Sequence, residues 1–178
     1  MNWEFAFAGG SAAGAILAAL FSCVIYRLQT RKSQSAEIMR LHELWWSDRY
    51  REPRAVVYAL VKEFDANDQR HTPILRSYKC GDNEFIEEKR NVALIAFFFA
   101  DLNAMIDEGL IRVSLAYRLF GAAQFSWFSD FLLAVGNEVE LRITNEQITN
   151  DQKPEVRWIS EVRDLETRFK RLVKNFEL

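Results

Sequence analysis

From Phe5 to Tyr26 the chain carries no charge, and its apolar residues fall on every side of a helical wheel instead of along one stripe. At 1.5 Å per residue, the 22 residues between Glu4 and Arg27 would span about 33 Å, which matches the ~30 Å hydrocarbon core of a bilayer. The pattern predicts one transmembrane helix. Two readings compete with it. A secretory signal would carry Lys or Arg in Met1–Glu4 and a shorter apolar run, and a soluble core helix would need cover on all sides.

Beyond Arg27 the pattern becomes amphipathic and stays helical. Ile38, Leu41, Leu44 and Trp45 keep helical spacing, so the first helix continues to about Trp46. Ser47 and Asp48 are cap-type residues, and Pro53 suits the first turn of a second helix whose stripe is Val56, Val57, Leu60, Val61 and Phe64 and whose end falls near Asn67. Asp65–Asp82 shows no sustained period and reads as a long connector with room for a turn of helix. A central helix from near Asn83 to Gly109 is apolar almost all round between Val92 and Ala100. A short helix capped by Ser114 and ending at Gly121 precedes an aromatic helix carrying Phe125, Trp127, Phe128, Phe131, Leu132 and Val135. After Pro154, the residues Trp158, Val162, Leu165, Phe169, Leu172 and Phe176 form a heptad seam, open to packing within the chain or against a second copy.

The expected architecture is therefore all-α: a single N-terminal transmembrane helix followed by a cytoplasmic helical bundle. It divides into residues 1–32 as anchor and flank, 33–153 as helical core domain and 154–178 as a C-terminal amphipathic helix. Arg27, Arg31, Lys32 and Arg40 all follow the anchor while only Glu4 precedes it, so the positive-inside rule places the N-terminus outside and the bundle in the cytoplasm. Within the anchor, Gly10, Gly14 and Ala18 recur every four residues and offer a surface on which a second membrane helix can pack. A homo-oligomer follows as an expectation. Arg27, Arg31 and Lys32 can also touch anionic lipid, although three charges are fewer than a lipid-binding cluster usually has.

Composition narrows the classes. With 23 Lys and Arg against 25 Asp and Glu, the chain has no basic excess of the kind nucleic acid requires. Cys23 lies in the anchor and Cys80 in a polar connector, which is no disulfide framework and suits a reducing compartment. His42 and His71 have no companions at metal-ligand spacing, so neither metal nor cofactor is expected. No phosphate loop or nucleophile elbow occurs, and Glu87, Glu88 and Asp101 are the carboxylates left for an enzymatic reading, with no reaction to attach to them.

The most informative polar stretch is Trp45–Arg54, where Arg49, Arg51 and Arg54 alternate with Asp48, Glu52 and Tyr50 beside two tryptophans. Arginine among aromatic rings can hold an anionic ligand by forked hydrogen bonds and stacking, so Trp45, Arg49, Arg51 and Arg54 are the candidate ligand-binding residues. The alternative is an internal ion-pair cluster in which Asp101, a carboxylate on the most apolar helix, takes Arg54 as its partner.

The order Leu41-His42-Glu43-Leu44-Trp45-Trp46-Ser47, then Arg49, Arg51 and Arg54, and later Phe98-Phe99-Ala100-Asp101-Leu102 followed by Gly109-Leu110-Ile111 and Leu119-Phe120-Gly121, resembles a bacterial family of small, often membrane-anchored helical proteins classed as a domain of unknown function. The resemblance covers about Leu41 to Leu141. It implies a helical domain on the cytoplasmic side of a bacterial inner membrane and brings no activity with it. Two functions are expected: a non-enzymatic membrane-anchored module acting by self-association or by binding a cytoplasmic protein, and a membrane-bound sensor or defence effector that binds a small anion.

Overall fold

The computed structural model describes residues 3–66, 72–145 and 154–176, with the side chains of 3–18, 122–123, 145, 154–156 and 175–176 outside the description. Every described element is helical: α1 (Trp3–Trp46), α2 (Asp48–Ala66), α3 (Pro73–Cys80), α4 (Ile86–Asp107), α5 (Val113–Ala116), a π-helical segment (Tyr117–Phe125), α6 (Ser126–Asn145) and α7 (Pro154–Phe176).

Helix α1 runs unbroken for 44 residues, about 66 Å at helical rise. Its two halves meet different surroundings. Residues 19–29 are exposed on every side, Leu20, Phe21, Val24, Tyr26 and Leu28 among them. Ile38, Leu41 and Trp45, farther along the same helix, are almost completely buried. Among the described residues no single helix is long and apolar enough to cross a membrane, but most of Phe5–Tyr26, with Gly10, Gly14 and Ala18, lies where side chains are outside the description. Val113–Gly121 and Ser126–Thr144 have enough length and apolar character only as a bent pair, and their Phe120, Phe128, Phe131 and Leu132 are core residues.

The bundle closes around α4. Helix α2 lies against α4 and α6, α7 against α4 and α6, and α3 against α6. Aromatic rings fill the centre because α1 sends in Trp45, α4 sends in Phe98 and Phe99, the π segment Phe120 and Phe125, and α6 Phe128. Trp45 lies 4.6 Å from Phe98, 5.4 Å from Phe99 and 6.1 Å from Phe128, ring centre to ring centre. Such tilted and edge-on pairs add to what burial alone provides. The seam of α7 is used inside this core: Trp158, Val162, Leu165 and Phe169 are buried, with Ile159 beside them and Leu172 at the margin. Between α6 and α7, Arg163 donates two hydrogen bonds to Glu140, at 2.9 and 2.6 Å, and a third to Asn137 at 2.7 Å.

Three boundaries differ from the pattern-based expectation. Helix α2 begins at Asp48, so Pro53 lies inside it and not in its first turn; Ser47 turns the chain by hydrogen bonding back to the Leu44 carbonyl. Within the supposed connector, Pro73–Cys80 makes a full helix that buries Ile74 and Leu75 and stops at Gly81, whose φ of 67° suits glycine. Gly121 does not end a helix. The chain passes through it in π form, with the Tyr117 ring over the place a Cβ would fill.

Candidate functional site at the corner of α1 and α2

The turn at Ser47 folds α2 back beside the end of α1, and that reversal brings Arg54 over the tryptophans. Its guanidinium carbon lies 4.3 Å from the centre of the Trp46 ring and 5.4 Å from that of Trp45, within reach of a cation–π attraction. Helix α6 and the π segment complete a groove of about 550 Å³ whose walls include Trp45, Trp46, Arg54, Tyr58, Gln124 and Trp127. That volume is in the range of small-molecule sites. No Asp or Glu lines it, so Arg54 leaves it electropositive.

Three of these side chains share a further property. Trp45 Nε1, one Nη of Arg54 and Gln124 Oε1 are shut off from solvent without a hydrogen-bond partner. Each such atom typically costs about 1–3 kcal/mol, so three around one groove are an unusual concentration. Two are donors and the third is an amide oxygen. Burial holds the Arg54 pKa below that of a free guanidinium, while the group remains charged at any physiological pH. The rings around it differ in exposure. Trp45 is buried, whereas Trp46 and Trp127 are about half exposed. Trp46 donates its indole N–H to His42 at 3.0 Å, and Trp127 stacks 5.4 Å from Tyr58.

Of the candidate residues named from the sequence, the fold unites Trp45 and Arg54. Arg49 and Arg51 do not line the groove; both are exposed, and Arg49 lies 5.8 Å over the ring of Tyr50. Residues two or three apart on a helix point to different faces, which is why the arginines of one short segment part company. The ion-pair alternative does not form either. Among the described residues none of the three arginines pairs with a carboxylate, and Asp101 has Arg157 of α7 as its influential cation, not Arg54. The reason is that α4 turns Asp101 toward α7 while Arg54 faces the tryptophans. Loss of hydration raises the Asp101 carboxyl pKa, and Arg157 only partly offsets that.

Gln124 was invisible to pattern reading, since one glutamine in an aromatic run carries no periodicity. The other carboxylates do not gather around Asp101: Glu87 and Glu88 stand in the first turn of α4, about 20 Å away along the helix. Among the described residues no group of three His, Cys, Asp or Glu is placed to hold a metal ion, and His71 lies outside them. No protein-family model, curated protein or solved structure matches the chain.

Proposed function

We propose that this chain is a membrane-tethered helical module that works by binding, without catalysis, with Phe5–Tyr26 in the bilayer of a bacterial inner membrane and the bundle on the cytoplasmic side. One observation carries the reading. Residues 19–29 continue the core helix α1, carry Leu20, Phe21, Val24, Ile25 and Leu28, and are covered by no part of the bundle. A contiguous apolar surface of this kind marks a membrane or partner contact. Its position beside an uncharged stretch of bilayer length, with Arg27, Arg31 and Lys32 behind it, favours the membrane. Self-association, if present, belongs to the Gly10, Gly14 and Ala18 face, because the α7 seam is occupied within the bundle. The test is alkaline extraction of membranes from cells expressing the full chain. The protein stays with the bilayer pellet; its release into the wash would sink the proposal.

A second reading, compatible with the first, rests on the groove: the bundle is a sensor that holds a small organic anion between Arg54 and the tryptophan rings. Its support is the pair of unpartnered donors on Trp45 and Arg54 beside the groove. Small aryl carboxylates should raise the melting temperature of the full chain. Arg54→Gln abolishes that shift, whereas Arg49→Ala and Arg51→Ala preserve it. An unchanged response in Arg54→Gln contradicts this reading.

A further inference from the structure

The end of the bundle from which the exposed part of α1 emerges is built from three elements far apart in sequence. Gln34 on α1 donates to the carbonyl of Gly109, just past α4, at 2.9 Å. Beside this contact lies an open groove of about 600 Å³, lined also by Arg112 and Ser114 from the start of α5 and by Arg168 and Arg171 from the last turns of α7. No acidic residue lines it. Arg168 is tied to Asp107, while Arg112 and Arg171 are exposed and form no ion pair among the described residues. Exposed Lys174 lies one turn beyond Arg171, and Arg27, Arg31 and Lys32 are exposed on the stalk. Seven cations of a chain whose net charge is -2 therefore collect at or beside this pole.

We infer that this pole is a binding site for anionic phospholipid headgroups. The inference rests on the membrane-tethered reading, because α1 then sets the distance. Gln34 follows Tyr26 by eight residues, about 12 Å along the helix. A headgroup layer is roughly 5–7 Å deep on each side of the hydrocarbon core. Extended arginine side chains bridge the difference. Three basic residues on the stalk fall short of a lipid-selective cluster, but Arg112, Arg171 and Lys174 at the pole add three that form no ion pair among the described residues, and six lies within the four to eight that such clusters typically use. Arginine is suited to the role because its planar fork grips phosphate oxygens in pairs. Helices α4 and α7 also end here, and the partial negative charge of their carbonyl ends opposes an anion, though only by about half a charge each. The full charges of Arg112 and Arg171 outweigh it. Leu110, between Gly109 and Ile111 of the groove's lining, is an exposed apolar residue.

The test uses the full chain in uncharged detergent micelles, with thermal unfolding followed during titration with phosphatidylglycerol or phosphatidylcholine. Phosphatidylglycerol raises the melting temperature and phosphatidylcholine does not. Arg112→Gln with Arg171→Gln weakens the phosphatidylglycerol response at least tenfold, taking roughly fivefold per surface cation. Arg112→Lys with Arg171→Lys retains most of the response, which separates lost charge from lost folding. Equal responses to the two lipids, or a response unaffected by the Gln pair, overturns the inference. So does an equal shift with glycerol phosphate, which would identify a site for a soluble anion. Flotation with vesicles of pure phosphatidylcholine reports on the tether separately: a chain that fails to float there lacks a bilayer anchor, whatever the lipid titration shows.

Discussion

Trp45 occupies two environments at once, since its ring faces are packed among Phe98, Phe99 and Phe128 while its indole nitrogen has no partner. Trp45→Ala should destabilise the bundle by about 3–5 kcal/mol, the usual cost of emptying a large aromatic site. Trp45→Phe should cost clearly less, because the unpaired N–H leaves with the ring that carried it. Chemical denaturation of both variants checks the order, and equal costs would show that the indole nitrogen is satisfied. Asp101 gives a pH-dependent prediction. Its raised pKa means that the folded chain holds this proton more tightly than the unfolded chain does. Its contribution therefore disfavours folding above the folded pKa and fades as pH falls through that value toward the unfolded one. Asp101→Asn should raise the melting temperature at pH ~7 relative to the parent and lose that advantage near pH ~3, below the ordinary carboxylate range. Asp82 has the opposite sign. Hydrogen bonds from the Ser77 hydroxyl and the Glu84 N–H, with Lys89 nearby, lower its pKa, so its contribution is present above the unfolded value and is lost as pH falls through the folded one.

At the scale of elements, the hydrophobic period was legible wherever one helix face meets one layer of neighbours. The α7 seam and the α2 stripe are the cases: Trp158, Val162, Leu165 and Phe169 of the one and Val57, Val61 and Phe64 of the other are buried, Leu172, Val56 and Leu60 are half-buried, and the Phe176 side chain lies outside the described residues. Legibility failed where the local signal was ambiguous. Pro73–Cys80 is too short for its period to stand out, yet Ile74 and Leu75 dock it on the bundle. Gly121 has the composition of a helix end, but it serves as a gap for the Tyr117 ring, which in turn packs 5.3 Å from Phe169. Gly121→Ala should therefore displace Tyr117 and cost about 1–3 kcal/mol, as overpacking does. Gly136→Ala tests the same idea between α6 and α7, where a methyl group would meet Ile159 at 2.8 Å. Thermal denaturation of both variants reads the effect, and unchanged melting would mean that the rings and helices shift freely. The groove was half legible. Trp45 and Arg54 stood out as an arginine among aromatics, but Gln124, Tyr58 and Trp127 join them only through tertiary folding.

For the whole molecule, one helix serves two purposes: its second half is part of the core, and its first half projects from the pole where the arginines collect. Helical continuity from Trp3 to Trp46 means that, with the first half in a bilayer as proposed, a tilt of that half would be felt at Trp45, beside the groove. The central claim is that the first half lies in a bilayer, and the two native cysteines test it most directly. Cys23 lies in the uncharged run and Cys80 at the end of α3, and both are exposed in the isolated chain. Full-length protein in inside-out membrane vesicles would be treated with a membrane-impermeant maleimide, using Cys23→Ser and Cys80→Ser to leave one thiol each, and again after dissolving the vesicles in denaturing detergent. The account predicts rapid labelling of Cys80 in intact vesicles and protection of Cys23 until the bilayer is dissolved. Equal labelling of both thiols in intact vesicles would contradict it, placing the exposed half of α1 in water or against a partner instead.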